Sequence, residues 1–448
     1  WAEIGTVTDT GRMVVRWHGQ VVADIPARQI ADESPVYQRE AREARYLASV
    51  RAFTLDGIPD TVDPAPQLIS LLSWPTIASK NWVYRQYDHM VRDGSVVCPG
   101  SDAAVIRIKA DSVPPMPAEA GGAEVAAAPP VPEKLIALTV DCNGTYVFLD
   151  PYEGGKIAVA EAARNLACSG ARPLGVTDNL NAANPHDPEL FWQLRESVRG
   201  LGEACRVLQT PITGGNCSLY NQVPDGPVDP TPTIAMVRLI DKPEHITTQW
   251  FKDEDDAVIL LGGLFDAADP LQGLGGSAFL QVVHGQKNGR PPRCDLEAAQ
   301  TLHDALRGLI CSGSVKSAHD CSDGGLAVCL AECCVSQQSV RETPRLIGAT
   351  IDLSSLWGVA GSPEGAQAPA VRLDALLFGE TQNRVVITTH RLHLAKVLER
   401  ARLLGVSAAH LGWVGGDCLT VRTGRGDWSW PVGELHDAWW NSLERWME

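Results

Sequence analysis

One segment constrains the fold of this chain more than any other: a long amphipathic helix pattern that lies between two short strand-like runs. From Pro188 to Gln209, apolar residues recur at intervals of 4, 4, 3, 4 and 3, the spacing of one buried helical stripe. The stripe consists of Leu190, Leu194, Val198, Leu201, Cys205 and Leu208. A long helix between two strands is typical of an α/β protein, in which both strands belong to one sheet.

The composition is that of a globular protein with about three domains. Of its 448 residues, 44% are hydrophobic and 21% charged, which is enough to bury a large core. The 38 Lys and Arg against 54 Asp and Glu give a net charge of −16, which argues against a general nucleic-acid binder. No apolar run approaches the roughly 20 residues that a bilayer requires, so we expect no membrane association.

The twelve cysteines are scattered and form no CxxC pair. This pattern argues against structural zinc and indicates the reduced thiols of a cytoplasmic protein. We also expect no signal peptide, because the chain does not open with a basic and then an apolar stretch.

Changes in pattern divide the chain into five regions. They are a β-rich end of a preceding domain (1–45), a linker with helical character (46–74), two α/β domains (75–245 and 246–430) and a Trp-rich tail (431–448). The first α/β domain contains a proline-rich insertion, 111–134, whose composition predicts a flexible segment. The tail is expected to pack onto the protein, with a partner surface as the alternative, because Trp is enriched at interfaces.

Short patterns predict the elements of the two α/β domains. Three strands are expected at "AAVIRI", "LIALTVD" and "GTYVFLD", followed by a helix in "GGKIAVAEAARNLACSG". The second domain begins with the strand "AVILLGG" and continues with the helix "GGLAVCLAECCV" and the strand "NRVVITT". Ser322 or Asp323 is expected to cap this helix, with Gly324 and Gly325 at its start, and the alternative is that the N–H groups there face a phosphate.

Two strand ends carry the residues that are suited to chemistry. In "GVTDNLN", Asp178 and Asn179 are expected just beyond a strand, and in "TPITGGNCSLYN" Gly214 and Gly215 precede Asn216 and Ser218. Glycine lets the backbone approach phosphate oxygens, and Asp and Asn oxygens suit a magnesium ion that phosphates share. Taken alone, Gly-Gly-Asn is more typical of a tight turn, and the chain has no Walker A or GxGxxG pattern.

Longer strings resemble a known family. "DCNGTYVFLDPYEGGKIAVAEAARNLACSGARPLGVTDNLN" resembles the second half of phosphoribosylformylglycinamidine synthase, in the form that works as a separate synthetase subunit. The resemblance extends through "SKNWVYRQYDHM", "PGSDAAVIRIK", "GLGGSAFLQVVHG", "SAHDCSDGGLAV" and "LFGETQNRVVI", and it covers almost the whole chain.

The resemblance implies a fold and an activity. The fold would be one aminoimidazole ribonucleotide synthetase-like unit, an N-terminal α/β domain whose sheet pairs into a barrel with a counterpart, followed by a C-terminal α/β domain. The activity would be the ATP- and Mg²⁺-dependent conversion of formylglycinamide ribonucleotide to formylglycinamidine ribonucleotide, a carbon–nitrogen ligase step of purine biosynthesis. By position, Asp178 and Gly215 match ATP-binding residues, Asn216 a magnesium ligand and Ser218 a substrate contact.

The resemblance also implies partners and a missing part. Ammonia would come from glutamine on a separate glutaminase subunit, in a complex with a small bridging subunit. The catalytic histidines of the family belong to the first half, so catalytic residues remain unknown here and the chain alone is expected to be inactive. His89 and His319 are expected to be structural hydrogen-bonding residues, and Glu380 and Gln382 resemble a substrate motif of the first half.

Two alternatives remain open. The chain is a non-catalytic half that holds a nucleotide, or it is another ATP-dependent member of the superfamily, such as a selenophosphate or thiamine-phosphate kinase-like enzyme.

Overall fold

The structure, a computed structural model, describes residues 1–109, 133–336, 345–354 and 371–448. The predicted flexible segment 111–134 therefore lies outside the described residues except for its last two, and Lys134 already begins a strand. The chain forms two compact units, Trp1–Ala41 and Arg42–Glu448.

The first unit is a hairpin followed by a single helical turn. Strands β1 (Arg12–Trp17) and β2 (Gln20–Pro26) pair antiparallel and are followed by α1 (Ala27–Ile30). His18 and Gly19 form the turn between the two strands: both residues have positive φ, 47° and 80°, as a two-residue hairpin turn requires.

The second unit contains the remaining elements, numbered in chain order. Its strands are β3 (Ser95–Val97), β4 (Ala104–Ile108), β5 (Lys134–Asp141), β6 (Gly175–Asn181), β7 (Ile212–Ser218), β8 (Gln222–Val223), β9 (Gly226–Pro227), β10 (Thr231–Ile240), β11 (Asp256–Leu261), β12 (Ser317–Asp320), β13 (Val335–Ser336), β14 (Arg345–Leu346), β15 (Ala349–Asp352), β16 (Val385–His390), β17 (Ala408–Val414), β18 (Cys418–Thr423) and β19 (Gly426–Pro431). Its helices are α2 (Leu47–Ala52), α3 (Ala65–Leu72), α4 (Asn81–Tyr84), α5 (Gly144–Leu149), α6 (Pro151–Cys168), α7 (Pro188–Val207), α8 (Ala278–His284), α9 (Leu296–Cys311), α10 (Gly325–Cys334), α11 (Leu373–Phe378), α12 (Leu394–Leu403), α13 (Val432–Trp440) and α14 (Ser442–Met447).

The first domain of this unit is a six-stranded sheet with helices on one face. Its strand order is β3-β4-β5-β10-β6-β7, and β6 and β7 are parallel neighbours joined through α7. The expected strand–helix–strand unit is therefore confirmed. Helix α6 begins at Asp150, whose side chain accepts a hydrogen bond from the N–H of Glu153, with Pro151 in the first turn.

The opposite face of this sheet is open. Strand residues alternate between faces, and those that point away from α6 include apolar side chains that remain substantially exposed. They are Ile106, Ile108, Val140, Val237 and Leu239. Within the described residues this sheet has two edges and is not closed, so the barrel expected from the resemblance requires a second sheet.

The second domain is a seven-stranded sheet with the order β12-β16-β11-β17-β15-β18-β19. Its interior strand β11 is completely buried, as its apolar run predicts. Helix α6 of the first domain also reaches this domain, because Ala167 and Cys168 near its end belong to the hydrophobic cluster of Ile259, Leu306 and Ile387. The mixed α/β class is confirmed, with one sheet in each domain.

Three local predictions are wrong for identifiable reasons. "GTYVFLD" forms helix α5 rather than a strand, because Asn143 caps it by accepting a hydrogen bond from Tyr146 N–H. Neither Ser322 nor Asp323 caps α10, since the cap residue is Gly324 and no side chain bonds there. The predicted stripe of α7 is confirmed at Leu201, Cys205 and Leu208, which are buried, and is wrong at Val198, which is 43% exposed.

The Trp-rich tail packs onto the protein, as expected. The indole N–H of Trp430 donates to the carbonyl of Ala65 and that of Trp439 to the carbonyl of Ile77, each at 3.2 Å. Both indoles are buried. The tail thus covers α3 and the segment that leads to α4.

Candidate functional site

The predicted nucleotide residues lie on the paired strands β6 and β7 rather than in turns beyond them. In the parallel register Asp178 lies beside Gly215, Asn179 beside Asn216 and Asn181 beside Ser218. The expectation that both segments meet at one sheet edge is confirmed, because β7 is the edge strand. The tight turn typical of Gly-Gly-Asn is absent, since strand pairing, with one register shift between Val176 and Thr177, continues through both segments.

The two faces of this strand pair separate the predicted residues. Asp178 pairs with the buried Ile234 of β10 and is partly buried on the helix-covered face. Asn216 and Ser218 point to the open face, where the amide of Asn216 lies 3.4 Å from the hydroxyl of Ser218. A ligand that contacts both Asp178 and Asn216 must therefore bind around the free edge of β7.

Asp178 lies so close to position 215 that only glycine fits there. A Cβ at this position would lie 2.0 Å from Oδ1 of Asp178 and 2.2 Å from its carbonyl oxygen. The glycine thus permits close approach of β7 to Asp178, whereas the sequence pattern suggested close approach to a phosphate. Partial burial raises the pKa of Asp178.

The open face carries a polar strip beside its apolar region. The strip consists of Asn179 and Asn181 on β6, which lie beside Asn216 and Ser218 on β7. Side-chain amides and a hydroxyl offer both donors and acceptors to a ligand. We refer to these four residues as the polar strip.

A second candidate site lies between the two domains. It is a cavity of about 550 Å³, a size suited to a small ligand. Its charged and polar lining includes Lys80, Asp102, Glu161, Asn165, His319, Asp320, Asp323 and Glu332. We call it the interdomain cavity.

Several buried carboxyl groups crowd together at this cavity. Burial, followed by the charges of neighbouring carboxylates, raises the pKa of Asp141 and Glu161 well above their ordinary values. Burial also raises the pKa values of Asp320 and Asp323. Arg164, which is fully buried, donates to both carboxylate oxygens of Asp320, at 3.2 Å from its Nη2.

His319 connects both domains and the tail at the wall of the cavity. Its Nδ1 lies 3.1 Å from Asp102 and its Nε2 lies 3.0 Å from Glu332, which also accepts a hydrogen bond from Trp439. Burial alone would lower the pKa of His319, but the two carboxylates raise it well above the ordinary value. The predicted structural role of His319 is confirmed.

The same prediction is wrong for His89. Within the described residues neither of its buried ring nitrogens has a hydrogen-bond partner. Its ring instead packs edge-on against Tyr84, with centroids 5.2 Å apart.

The donor chemistry of the cavity fits magnesium shared with a phosphate. Carboxylate and amide oxygens are hard ligands, and a cation would reduce the repulsion between the crowded carboxylates. In the part of the chain that the structure describes, no three His, Cys, Asp or Glu side chains form a complete metal site. Glu161 and Asn165 would thus hold the ion together with phosphate oxygens.

Sequence reasoning missed these cavity residues as a site. Glu161 and Asn165 stand four residues apart on α6, so they share one helix face, which is a recognisable signal. Lys80 carried no such signal. Its ammonium donates to the carbonyl of Thr76 at 2.8 Å, and burial lowers its pKa.

Comparison with known proteins identifies relatives. Family models match residues 100–240 (AIR synthase related protein, N-terminal domain) and 253–423 (AIR synthase related protein, C-terminal domain). The chain is 42% identical over 441 residues to phosphoribosylformylglycinamidine synthase subunit PurL of Anaeromyxobacter sp. (strain Fw109-5), covering 98% of this chain and 52% of that protein. It thus spans about half the length of the curated relatives it matches.

Solved structures show the same fold. T. maritima PurL complexed with FGAR has a TM-score of 0.59 at 16% identity, over 84% of this chain and 54% of that one. The structure of PurLQS from Thermotoga maritima has a TM-score of 0.54 at 15% identity, over 88% and 54%.

Proposed function

Because the chain belongs to the AIR synthase related family and is similar to about half of a PurL subunit, we propose that it forms part of a phosphoribosylformylglycinamidine synthase. The reaction would be the ATP- and magnesium-dependent conversion of formylglycinamide ribonucleotide to formylglycinamidine ribonucleotide. In it the amide oxygen of the substrate attacks the γ-phosphate of ATP, and ammonia then displaces phosphate from the activated carbon.

The observation that carries this proposal is the open face of the first sheet. Apolar side chains on that face are exposed next to the polar strip, and large exposed apolar patches mark interaction surfaces. A second sheet that covers the apolar region would leave the polar strip at the boundary between the two sheets. The strip is then one half of a site that another domain completes.

Residue roles follow from position and geometry. Asp178 and Gly215 would contact ATP from the edge of β7, and Asn216 would ligate magnesium, which neutralises phosphate charge when bound. Ser218 would donate a hydrogen bond to the substrate, next to Asn216 on the same face. Phosphoryl transfer depends chiefly on positioning and charge neutralisation, and these groups are suited to both.

Ammonia would reach this site from a glutaminase subunit, in a complex that also holds a small bridging subunit. The similarity to the Thermotoga maritima PurLQS structure supports a multi-subunit assembly. Among the described helices, none is long and apolar enough to cross a bilayer. We further propose a cytoplasmic location and the division into regions 1–45, 46–74, 75–245, 246–430 and 431–448.

The experiment that tests the main proposal uses the full-length gene product. That protein should form formylglycinamidine ribonucleotide with ammonium as nitrogen donor. An absence of product from a folded full-length protein, with ATP and magnesium present, would refute the proposal.

A second function is favoured by the interdomain cavity: binding of a magnesium-bound nucleotide without turnover. The described residues that line the cavity, from Thr76 to Trp439, come from both domains and the tail of this chain. Calorimetric titration of Mg-ATP into the 448-residue chain tests this. Binding that Glu161→Gln weakens and that proceeds without hydrolysis supports it, and an absence of binding refutes it.

A further inference from the structure

Glu380 joins the two domains at a point outside the cavity. Its side chain is 0% exposed, and its Oε1 accepts hydrogen bonds from the backbone N–H of Ala278 at 2.9 Å and of Gly324 at 2.7 Å. Its Oε2 accepts a hydrogen bond from the hydroxyl of Tyr146. Tyr146 lies on α5 of the first domain, whereas Ala278 and Gly324 lie at the beginnings of α8 and α10 of the second. One carboxyl group thus ties three helices together.

The groups that Glu380 holds are continuous with the cavity wall. Gly324 directly follows Ser322 and Asp323, both of which line the interdomain cavity. Asp323 also accepts a hydrogen bond of 2.9 Å from Asn143, the residue that caps α5. Movement of α5 relative to α10 would therefore displace Asp323.

The turn before α10 leaves no room for adjustment. Gly324 and Gly325 both have positive φ, 78° and 72°, and a Cβ at Gly325 would lie 2.6 Å from the carbonyl oxygen of Gly379. The turn is thus packed against the residue that precedes Glu380. The carboxyl group and the cavity wall form one packed assembly.

We propose that Glu380 is a positioning residue that holds the walls of the interdomain cavity in the arrangement described here and thereby sets its affinity for a magnesium-bound nucleoside triphosphate. This inference rests on the nucleotide-binding function proposed above for the cavity. Glu380 does not line the cavity, so its effect is transmitted through the Gly324 turn and Asp323. If loss of the tie reduces the population of this arrangement to about a tenth, the apparent affinity falls about tenfold.

Three variants separate the tie from other effects. Glu380→Ala leaves two buried N–H groups without an acceptor. Glu380→Gln keeps that acceptor, and its amide can donate to the oxygen of Tyr146. Because burial raises the pKa of Glu380 to about 8, a neutral side chain is the natural replacement. Tyr146→Phe removes a single hydroxyl and preserves the ring.

Asp60→Ala is a matched control. Asp60 also accepts hydrogen bonds from two backbone N–H groups at the beginning of a helix, those of Leu373 and Asp374 at α11, at 2.9 and 3.2 Å. It does not belong to the cavity lining. Its removal should lower stability and leave nucleotide affinity unchanged.

The experiment combines hydrogen exchange with calorimetric titration of Mg-ATP into the full 448-residue chain. Glu380→Ala should accelerate exchange of the amides in 322–326 and 277–279 and weaken Mg-ATP binding about tenfold. Glu380→Gln should restore both to within about threefold of the wild type. Tyr146→Phe should give a smaller change in the same direction. If Glu380→Ala does not fold, this variant tests the inference in its place.

Unchanged hydrogen exchange in a folded Glu380→Ala or Tyr146→Phe variant would overturn the inference. Faster exchange with unchanged affinity for Mg-ATP would also overturn it. A third contradicting result is a Glu380→Gln variant that is as impaired as Glu380→Ala. Failure of the wild type to bind Mg-ATP would instead refute nucleotide binding in the cavity. The exchange data would then still decide whether Glu380 ties the domains.

Discussion

The polar strip and the interdomain cavity belong to the same unit but differ in completeness. The strip lies on an open sheet face at a free edge, with Asn216 exposed and its amide near Ser218. The cavity is lined by residues of two domains and crowded with buried carboxyl groups. Under the proposal above, the strip is half of a site, whereas the cavity needs no residue beyond this chain, and the family resemblance puts the chemistry at the half site.

The largest effect should follow from this difference in completeness. The isolated 448-residue chain should form no detectable formylglycinamidine ribonucleotide, because the polar strip lacks the domain that would cover it. Product formation from ammonium, ATP and formylglycinamide ribonucleotide, measured by chromatography, checks this. Turnover by the isolated chain would show that the strip is already a complete site.

The next effect is on stability and belongs to the cavity. Arg164→Met should lower the free energy of unfolding by about 3–5 kcal/mol, because Asp320 and Glu161 lose the buried guanidinium beside them. Denaturant unfolding measures it. Arg195→Met is the control: Arg195 is half exposed in its pair with Glu196, so its loss should cost less than about 1 kcal/mol. Equal losses in both variants would mean that the cavity charges are solvated.

Substitutions in the strip should affect binding and spare the fold. In the full-length protein, Asn216→Ala should weaken Mg-ATP binding about ten- to a hundredfold, or about 1.5–3 kcal/mol, because a charge-assisted contact is lost. Asp178→Ala should behave similarly. Since both side chains would contact the same bound Mg-ATP, their losses should be non-additive in the double variant.

Thr177→Ala is the control for these measurements, because Thr177 lies on the same open face of β6, beside Gly214, but outside the polar strip. Ser218→Ala should mainly weaken binding of the formylglycinamide substrate. Calorimetric titration measures the affinity of each variant for Mg-ATP and for the substrate. Unchanged affinity for Mg-ATP in both Asn216→Ala and Asp178→Ala would mean that β6 and β7 have only a structural role.

The smallest effect, taken per pH unit, is on the pH dependence of stability. The pKa of Glu161 is raised above 4.5 in the folded protein, so the folded state retains a proton that the unfolded chain has released. The stability of the wild type relative to Glu161→Gln should therefore fall as pH rises above about 4.5, by at most about 1.4 kcal/mol per pH unit. Unfolding at several pH values checks this, and a relative stability that rises with pH would contradict the crowding of charges.

The sequence predicted the α/β class, several of the strands and the meeting of β6 with β7, because these depend on local periodicity and chain order. It failed where tertiary contacts decide. "GTYVFLD" has strand-like composition, but the cap at Asn143 and the packing of Tyr146 make it a helix. The position of Asp323 in the sequence is typical of a helix cap, but its side chain accepts a hydrogen bond from Asn143 instead.

The candidate sites divide in the same way. Asp178 and Asn216 could be singled out because each stands in a short polar string, but their opposite faces depend on the exact extent of the strands. The cavity residues come from segments as distant as Lys80 and Glu332. Only folding brings them together.

Helix α6 has a consequence for how this molecule comes apart. Its residues are buried in the core of the first domain, and its last turn is buried in the core of the second. Gly155 and Gly200 also bring it into backbone contact with α7. A cut in the segment between the domains would thus not release two stable halves, because neither core is whole without the same helix. The two α/β domains should fold and unfold as one cooperative unit. Limited proteolysis should therefore give few intermediates between the intact and the degraded chain.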